Sequence, residues 1–201
     1  DIIDEIKSLV ARGIVEINLV GQDSAAFGMD GAHPHKKEIW SQFDGTGTKL
    51  SPLAQLLQGI SRLEGKFWLR LLYIHPDHFP LDILPVMAQD SRLLPYFDIP
   101  FQSGCDPIIK AMNRTGTGAE YTQLVQSIRS RLHSTKLGEP ALRTTFLVGF
   151  PGETDDHAQQ TLDFIKGIQP DWAGSFTYSR EDDTPAAAMK NQVPKKTAEK
   201  R

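Results

Sequence analysis

Three short polar segments carry residue types that can hold a cofactor, and each follows an apolar, β-rich run. They are Gly21-Gln22-Asp23, Gln102-Ser103-Gly104 and Gly149-Phe-Pro-Gly-Glu153. Glycines let a backbone approach a ligand closely, and Gln and Ser side chains offer both donors and acceptors. Each segment alone is also typical of an ordinary turn, and Thr154 or Asp155 could simply cap the helix after the third one. Three such turns opening on one rim of a sheet would form a cofactor pocket.

Possible metal ligands occur at two places, namely His33 and His35, and His75, Asp77 and His78. No further Cys or His follows at a spacing that would complete a tetrahedral set, so the sequence predicts no metal ligand in this chain. His75-Pro76 is read as the cap of a strand. Cys105, the single cysteine, has no adjacent base and is predicted to pack in a turn, so no catalytic side chain is assigned.

Two arginines interrupt apolar strands, which is costly unless the guanidinium is paired or faces a cavity. Arg70 lies within residues 67–73 and Arg143 within residues 142–148. One interpretation places both side chains in a polar cavity of a barrel-like sheet. The other places each along a sheet edge with its aliphatic stem buried. The aromatic residues Trp68 and Trp172 are predicted to belong to the core.

The polar turns must be positioned by strands that alternate with helices. The predicted strands span residues 14–20, 67–73, 96–101, 142–148 and 173–178. The predicted helices span residues 2–12, 53–63, 82–88, 107–112, 119–132 and 155–167. Single strands separated by helices favour a parallel sheet with right-handed crossovers, in which the functional loops gather at the strand ends.

Two segments interrupt this alternation. Residues 28–49 are rich in Gly, His and polar residues and indicate a surface excursion. Residues 191–201 are charged and indicate the start of a linker or helix. Because the chain begins with a helix and no strand precedes it, the first strand of the sheet is expected upstream, and the sequence is expected to be a fragment.

The bulk properties set outer limits on function. With 201 residues and a formal net charge of -3, the chain is long enough for one sizeable core and carries no overall basic charge for nucleic acid. No run of about 20 apolar residues and no leader is present, which predicts no membrane association and a cytoplasmic location. One cysteine excludes an internal disulfide framework.

With these residues in hand, the chain resembles the methylthiotransferase branch of the radical S-adenosylmethionine (SAM) enzymes, and within it the branch that modifies a ribosomal protein. The segments that carry the resemblance are EINLVGQD (16–23), RLLYIHPDHFP (70–80), LLPYFDIPFQSG (93–104), IIKAMNR (108–114), ALRTTFLVGFPGETDDH (141–157) and YSREDDTPAAAMKNQVP (178–194). They follow the family's order over nearly the whole chain.

The resemblance implies an α/β fold, a partial (β/α) TIM-like barrel of the radical SAM type with a parallel sheet that lacks its first strand here. Residues 1–190 would form this radical SAM core, truncated at its N-terminus, and residues 191–201 would lead toward a C-terminal TRAM domain outside the chain. The family's cofactors are SAM and two [4Fe–4S] clusters. The cluster ligands are cysteines that this sequence does not contain.

The family's binding residues carry over position by position. Gly21, Gln22 and Asp23 match the second-strand motif near the SAM amino group, and Gln102 and Ser103 match the ribose and carboxylate region. Val148, Gly149 and Gly152 match the glycine motif near adenine, Arg70 and Arg143 would line the cavity, and Tyr178 matches the sixth-strand exit. All eleven residues are predicted to bind the cofactor.

The implied activity is a two-stage methylthiolation of the β-carbon of an aspartate in small-subunit ribosomal protein S-twelve. Its partners would be that protein or the small ribosomal subunit, a sulfur donor and a reductant. Ser179-Arg180-Glu181-Asp182 favours this branch over the related tRNA adenosine methylthiotransferases, whose exit is richer in Pro and Gly. A second alternative is a non-catalytic binding scaffold, and without cluster cysteines the isolated chain is expected to be inactive.

Overall fold

The computed structural model describes residues 1–29, 42–47, 49–133 and 138–201. Helices and strands alternate along this part of the chain. In order they are α1 (Ile2–Ala11), β1 (Glu16–Val20), α2 (Pro52–Ser61), β2 (Trp68–Leu72), α3 (Ile83–Gln89), β3 (Tyr96–Asp98), α4 (Asp106–Ala111), α5 (Gly118–Leu132), β4 (Ala141–Val148), α6 (Asp155–Ile168), β5 (Trp172–Thr177), α7 (Pro185–Ala188) and α8 (Lys195–Lys200). The predicted alternation is confirmed.

The chain divides into two compact units. The first contains Asp1–Asp98 and Gln126–Leu142, and the second contains Ile99–Val125 and Arg143–Arg201. The assignment of residues 1–190 to one core and of 191–201 to a linker stays a prediction, although residues 195–200 form helix α8.

In the first unit, β1 and β2 pair in parallel, with Ile17 opposite Leu69 and Leu19 opposite Leu71. The sheet continues beyond β2, because Leu94 donates its N–H to the carbonyl of Leu69 at 2.9 Å. One face of this sheet is buried against helices, and the residues of its core are less than 5% exposed. They include Leu53, Leu57 and Ile60 of α2, Leu69 and Leu71 of β2, and Ile83 and Leu84 of α3.

The helices of this unit begin where local hydrogen bonds can replace the missing intrahelical partners. Asp1 caps α1 by accepting the N–H groups of Ile3 and Asp4. Ser51 caps α2 by accepting the N–H of Ala54, and Pro52 fits the first turn because it has no N–H to satisfy. These caps satisfy N–H groups that have no partner within the first turn of each helix.

In the second unit, β4 and β5 pair in parallel, with Phe146 opposite Ser175. On the other side of β4, Ile99 donates its N–H to Arg143 at 2.9 Å, and Gln102 donates to Thr145 at 2.8 Å. Buried aromatic residues hold α5 and α6 to this sheet. Phe101 contacts Tyr121 at 5.1 Å and Phe164 at 5.4 Å between ring centroids.

Two predictions of core tryptophans are wrong. Trp68 is 52% exposed and Trp172 is 69% exposed. In register, Trp68 lies opposite Glu16 and Trp172 opposite Arg143, so each tryptophan shares its sheet face with a charged residue. The apolar alternation located the strands correctly but did not indicate which face the helices cover.

Part of the predicted excursion over residues 28–49 lies outside the described residues, as do His33 and His35. Within the described ranges no helix is long and apolar enough to span a membrane.

Candidate functional site

The turn after β1 is organised by the carboxylate of Asp23. One oxygen, Oδ1, accepts the N–H of Ala25 at 3.1 Å and the N–H of His75 at 3.1 Å. The other oxygen, Oδ2, lies 2.7 Å from Nδ1 of His78. Asp23 therefore starts a short 3₁₀ turn over Ser24–Ala26 and ties it to the turn that follows β2.

These contacts change the acidity of Asp23. Burial alone would raise its pKa, but the hydrogen bonds from the His78 side chain and the His75 backbone outweigh burial, so the pKa lies below the ordinary 3.8. The carboxylate is thus ionised and already satisfied by the protein. The predicted contact between Asp23 and the SAM amino group stays a prediction, and the exposed Gly21 and Gln22 lie beside it in the same turn.

His75 and His78, which follow β2, both contact Asp23 in the turn after β1. His75 accepts the N–H of Asp77 on its Nδ1 at 3.2 Å, and its ring stacks on His78 with 4.6 Å between centroids. It caps the short 3₁₀ turn over Pro76–His78, so the prediction that it caps the strand is wrong. His78 is 6% exposed. Across the described ranges, no group of three or more His, Cys, Asp or Glu side chains is arranged to hold a metal ion.

The exposed face of the β1–β2 pair carries Arg70 among apolar neighbours. Nε and Nη2 of Arg70 donate to Oε1 of Glu16 at 3.2 and 3.0 Å. The guanidinium carbon lies 4.5 Å from the centre of the Tyr96 ring. Val20 and Trp68 are the large apolar residues exposed on this face. The guanidinium of Arg70 is therefore paired with Glu16 and partly exposed, and whether this face lines a cavity stays a prediction.

In the second unit, the turn Gln102-Ser103-Gly104 runs beside β4. Gln102 has a left-handed backbone with φ 68° and accepts the N–H of Leu147 at 2.9 Å. Ser103 is 1% exposed, and its hydroxyl contacts Oγ1 of Thr161 at 3.1 Å and accepts the N–H of Cys105. The Ser103 side chain shapes the turn, whereas the Gln102 side chain is half-buried.

Cys105 packs in this turn, as predicted, and is fully buried. Burial raises the pKa of its thiol above the ordinary 9.0, and the nearby carboxylates of Asp106 and Glu153 raise it further. A buried, protonated thiol is a poor nucleophile.

The turn after β4 is held by the buried carboxylate of Glu153, which is not among the predicted site residues. Glu153 is 6% exposed and accepts the N–H of Gly149 at 2.6 Å. Nη1 of Arg201 donates to the same oxygen of Glu153 at 2.7 Å, while Nη2 donates to Asp155 at 2.7 Å. One signal for Glu153 was present in the sequence, because a charged residue directly follows Gly152 at a strand end.

The glycines of this turn have structural reasons to be glycine. Gly149 has φ 76°, and a Cβ at this position would overlap the Cβ of Ala198. Gly152 has φ 87°, but a Cβ there would meet no atom within 4 Å. Thr154 caps α6 by accepting the N–H of His157 at 3.2 Å, so one ordinary reading of this motif is correct. Whether Val148, Gly149 and Gly152 also contact adenine stays a prediction.

Tyr178 offers the strongest sign of a missing polar ligand in the second unit. Its hydroxyl is buried and has no hydrogen-bond partner among the described residues. The ring packs at 5.5 Å on Phe150 and beside Cys105. Since a buried hydroxyl without a partner is unfavourable, this atom fits a position where a bound molecule or a water supplies the partner.

The predicted sites fall in both units. Gln102, Ser103, Arg143, Val148, Gly149, Gly152 and Tyr178 belong to the second, whereas Gly21, Gln22, Asp23 and Arg70 belong to the first. Within the second unit, the bond between Gln102 and Leu147 brings the Gln102 turn to the end of β4, next to Val148 and Gly149. Arg143 is exposed in register with Trp172. The convergence of Gln22 on one rim with Gln102 and Gly149 stays a prediction.

Two implied cofactors fit this chain differently. The unpartnered Tyr178 hydroxyl and the half-buried Gln102 amide are compatible with a polar ligand such as SAM. A [4Fe–4S] cluster is not compatible with the described residues, because Cys105 is the only thiol of the sequence and it is buried.

Solved structures with the same arrangement of strands and helices are radical SAM enzymes. Coproporphyrinogen III oxidase HemN of Escherichia coli aligns with 97% of this chain and 52% of its own, with TM-score 0.59 and 15% identity. The methyltransferase TsrM of Kitasatospora setae aligns with 89% of this chain and 28% of its own, with TM-score 0.58 and 16% identity. The chain therefore has the radical SAM fold, as predicted.

Sequence relatives narrow the radical SAM enzymes to one family. The ribosomal protein uS12 methylthiotransferase RimO of Treponema denticola is 52% identical over the whole chain, which spans 42% of that relative. RimO of Thermosipho melanesiensis is 38% identical, again over the whole chain and 42% of the relative. No family model matches. The chain belongs to the radical SAM methylthiotransferase family and spans less than half the length of these relatives.

Proposed function

We propose that this chain is the central part of a radical SAM methylthiotransferase that adds a methylthio group to the β-carbon of an aspartate in ribosomal protein uS12. The observation that carries the proposal is the 52% identity, over the entire chain, to a protein named for that activity. In this proposal the substrate is uS12 or the small ribosomal subunit, the enzyme works in the cytoplasm, and a sulfur donor and a reductant complete the reaction.

The chemistry would be supplied by cofactors, and the chain would position them. When bound beside a reduced [4Fe–4S] cluster, SAM supplies a radical able to remove hydrogen from an unreactive carbon. The cluster ligands would come from parts of the protein outside this chain, because the sequence has one cysteine. The residues of this chain would hold SAM and exclude water.

The eleven predicted residues take different parts in this proposal. Gln102 and Tyr178 would contact SAM directly, because their polar atoms are half-buried or unpartnered within the described ranges. Ser103, Val148, Gly149 and Gly152 would shape the backbone around it. Gly21, Gln22, Asp23, Arg70 and Arg143 would also contact the cofactor, as the family resemblance implies.

The charge of the turn after β5 supports a protein substrate. Glu181 and Asp182 are exposed in this turn, and Arg180 is the exposed cation between them and β5. Carboxylates near a substrate cleft repel the phosphates of RNA, because like charges are penalised where water is excluded. A tRNA substrate is the alternative that the experiment must exclude.

The test uses the full-length protein, purified without oxygen and reconstituted with iron and sulfide. It is incubated with SAM and dithionite in the presence of uS12 or of bulk tRNA. We expect 5′-deoxyadenosine and a methylthio mass increase on one uS12 aspartate, and no methylthio nucleoside after tRNA digestion. Methylthiolation of tRNA alone would overturn the proposal.

A matched control uses the 201-residue chain without the rest of the protein. With one thiol, it should form no 5′-deoxyadenosine above a protein-free blank. Production by this chain would contradict the assignment of the cluster ligands to other parts of the protein. The same chain also tests the remaining alternative, a scaffold that binds SAM without cleaving it. Equilibrium dialysis of the 201-residue chain with SAM measures that binding directly.

A further inference from the structure

The guanidinium of Arg70 has two partners, Glu16 and Tyr96, but only some of its N–H groups are used. Both contacts to Glu16 come from the Nε and Nη2 atoms and reach the same carboxylate oxygen, Oε1. The Tyr96 ring supports the guanidinium from a distance of 4.5 Å. A guanidinium has five N–H groups, so the two on Nη1 and one on Nη2 have no acceptor in the part of the chain that the structure describes.

The pairing with Glu16 does not by itself explain an arginine in the middle of β2. The side chains are 28% exposed for Arg70 and 42% exposed for Glu16, and such surface pairs contribute about 0 to 1 kcal/mol. Because side chains alternate along a strand, Arg70 lies on the face opposite the buried Leu69 and Leu71 and shares its own face with the exposed Trp68. The geometry uses one edge of the guanidinium and leaves the Nη1–Nη2 edge available.

The surroundings favour recognition of one anion class. Two parallel N–H groups match the two oxygens of a carboxylate, and the Tyr96 ring fixes the plane in which they lie. Glu16 neutralises the net charge of the pair, which lowers its attraction for polyanions. Trp68 and Val20 are exposed on the same face, so a molecule that covers them would remove water and strengthen a bond to Arg70.

We propose that the Nη1–Nη2 edge of Arg70 binds a carboxylate of a molecule bound by the enzyme, while Glu16 and Tyr96 orient the guanidinium. The inference rests on the proposed function, which offers two carboxylates, that of the methionyl part of SAM and that of the target aspartate in uS12. The chemistry is the same for both, and the experiment distinguishes them.

The experiment measures binding by the reconstituted full-length enzyme without reductant, so that no turnover is needed. Equilibrium dialysis compares SAM with decarboxylated SAM. Fluorescence anisotropy compares a labelled peptide of the uS12 target loop with the same peptide in which the target aspartate is replaced by asparagine. The variants are Arg70→Lys, which keeps the charge but loses the fork, and Glu16→Gln. Arg12→Lys, at an exposed position in the same unit, is the matched control.

We expect Arg70→Lys to weaken binding of one carboxylate probe about tenfold and to leave its carboxylate-free counterpart unchanged. Loss confined to SAM assigns the bond to the cofactor, and loss confined to the aspartate peptide assigns it to the substrate. Glu16→Gln should preserve or strengthen binding of the same probe, because the guanidinium keeps its available edge and gains net charge. Arg12→Lys should change neither.

Two results would overturn the inference. One is an equal effect of Arg70→Lys on the affinity for probes with and without a carboxylate. The other is an equal loss of affinity in Arg70→Lys and in Glu16→Gln, which is the result expected if the ion pair has only a structural role. Circular dichroism of each variant shows whether it is folded. Failure of the proposed function is recognised separately, because the wild-type enzyme would then leave uS12 unmodified. The comparison of SAM with decarboxylated SAM would still show whether Arg70 binds a carboxylate.

Discussion

The turns after β1 and β4 are both organised by a carboxylate that accepts backbone N–H groups, but the two carboxylates have different partners. Asp23 contacts the imidazole of His78, and the side chains are 19% and 7% exposed. Glu153 contacts the guanidinium of Arg201, and the side chains are 2% and 11% exposed. An imidazole is charged only when it is protonated, whereas a guanidinium is always charged.

This difference separates the two turns in burial and in response to pH. The turn of the second unit depends on a buried ion pair, so losing the Glu153 charge leaves Arg201 with only its exposed partner, Asp155. The turn of the first unit depends on three hydrogen bonds to a partly exposed carboxylate, each contributing modestly. The comparison predicts a larger effect of substitution at Glu153 than at Asp23.

The largest effect is expected for Glu153→Gln. The change removes the buried negative charge beside Nη1 of Arg201, leaves only the exposed Asp155 as its charged partner, and weakens the acceptor of the Gly149 N–H, so the free energy of unfolding should fall by about 3 kcal/mol. Urea denaturation measures the fall, and hydrogen exchange should show faster exchange of the Gly149 amide. Glu181→Gln, at an exposed position of the same unit, is the control. Equal stability of the two variants would refute the importance of the buried pair.

A smaller effect is expected for Gly149→Ala, which should lower the free energy of unfolding by about 2 kcal/mol. Alanine is unfavourable in the left-handed backbone conformation of Gly149, and its methyl group would overlap the side chain of Ala198. Gly152→Ala is matched in backbone but not in packing, because nothing lies within 4 Å of its Cβ position, and should cost about 1 kcal/mol. If the two variants unfold at the same urea concentration, packing against α8 does not explain Gly149.

Asp23→Asn should lower the free energy of unfolding by about 1 to 2 kcal/mol at neutral pH. Because the folded pKa of Asp23 lies below the ordinary 3.8, the stabilisation is complete above that value and is lost as the pH falls through the folded pKa. The gap between wild type and variant should therefore close in acid. Urea denaturation at several pH values measures it, and a gap that widens below pH 3.8 would have the wrong sign.

The smallest effect concerns Cys105, whose alkylation should be very slow in the native protein. The thiol is fully buried and its pKa is raised, so both access and the thiolate fraction are low. Mass spectrometry after iodoacetamide treatment should find modification only once urea unfolds the second unit. In Glu153→Gln the thiol should react at lower urea concentrations, because that variant loosens the adjacent turn.

The alternation of strands and helices, the parallel pairing and the family were accessible from sequence. Hydrophobic periodicity is a local signal, and it located β1 and β4 to within two residues at each end. The turn motifs were visible for the same reason, since glycines and capping residues act on their immediate neighbours. Thr154 was correctly recognised as a possible cap because its partner, His157, is three residues away.

Only the tertiary structure decided which charges meet and which sheet face is exposed. Asp23 and His78 are 55 residues apart, and Glu153 and Arg201 are 48 residues apart. Crossover connections bring these residues together, and no local pattern encodes such pairs. Trp68 and Trp172 were misassigned to the core for a related reason: the period of a strand shows that its two faces differ, but the packing of helices determines which face is buried.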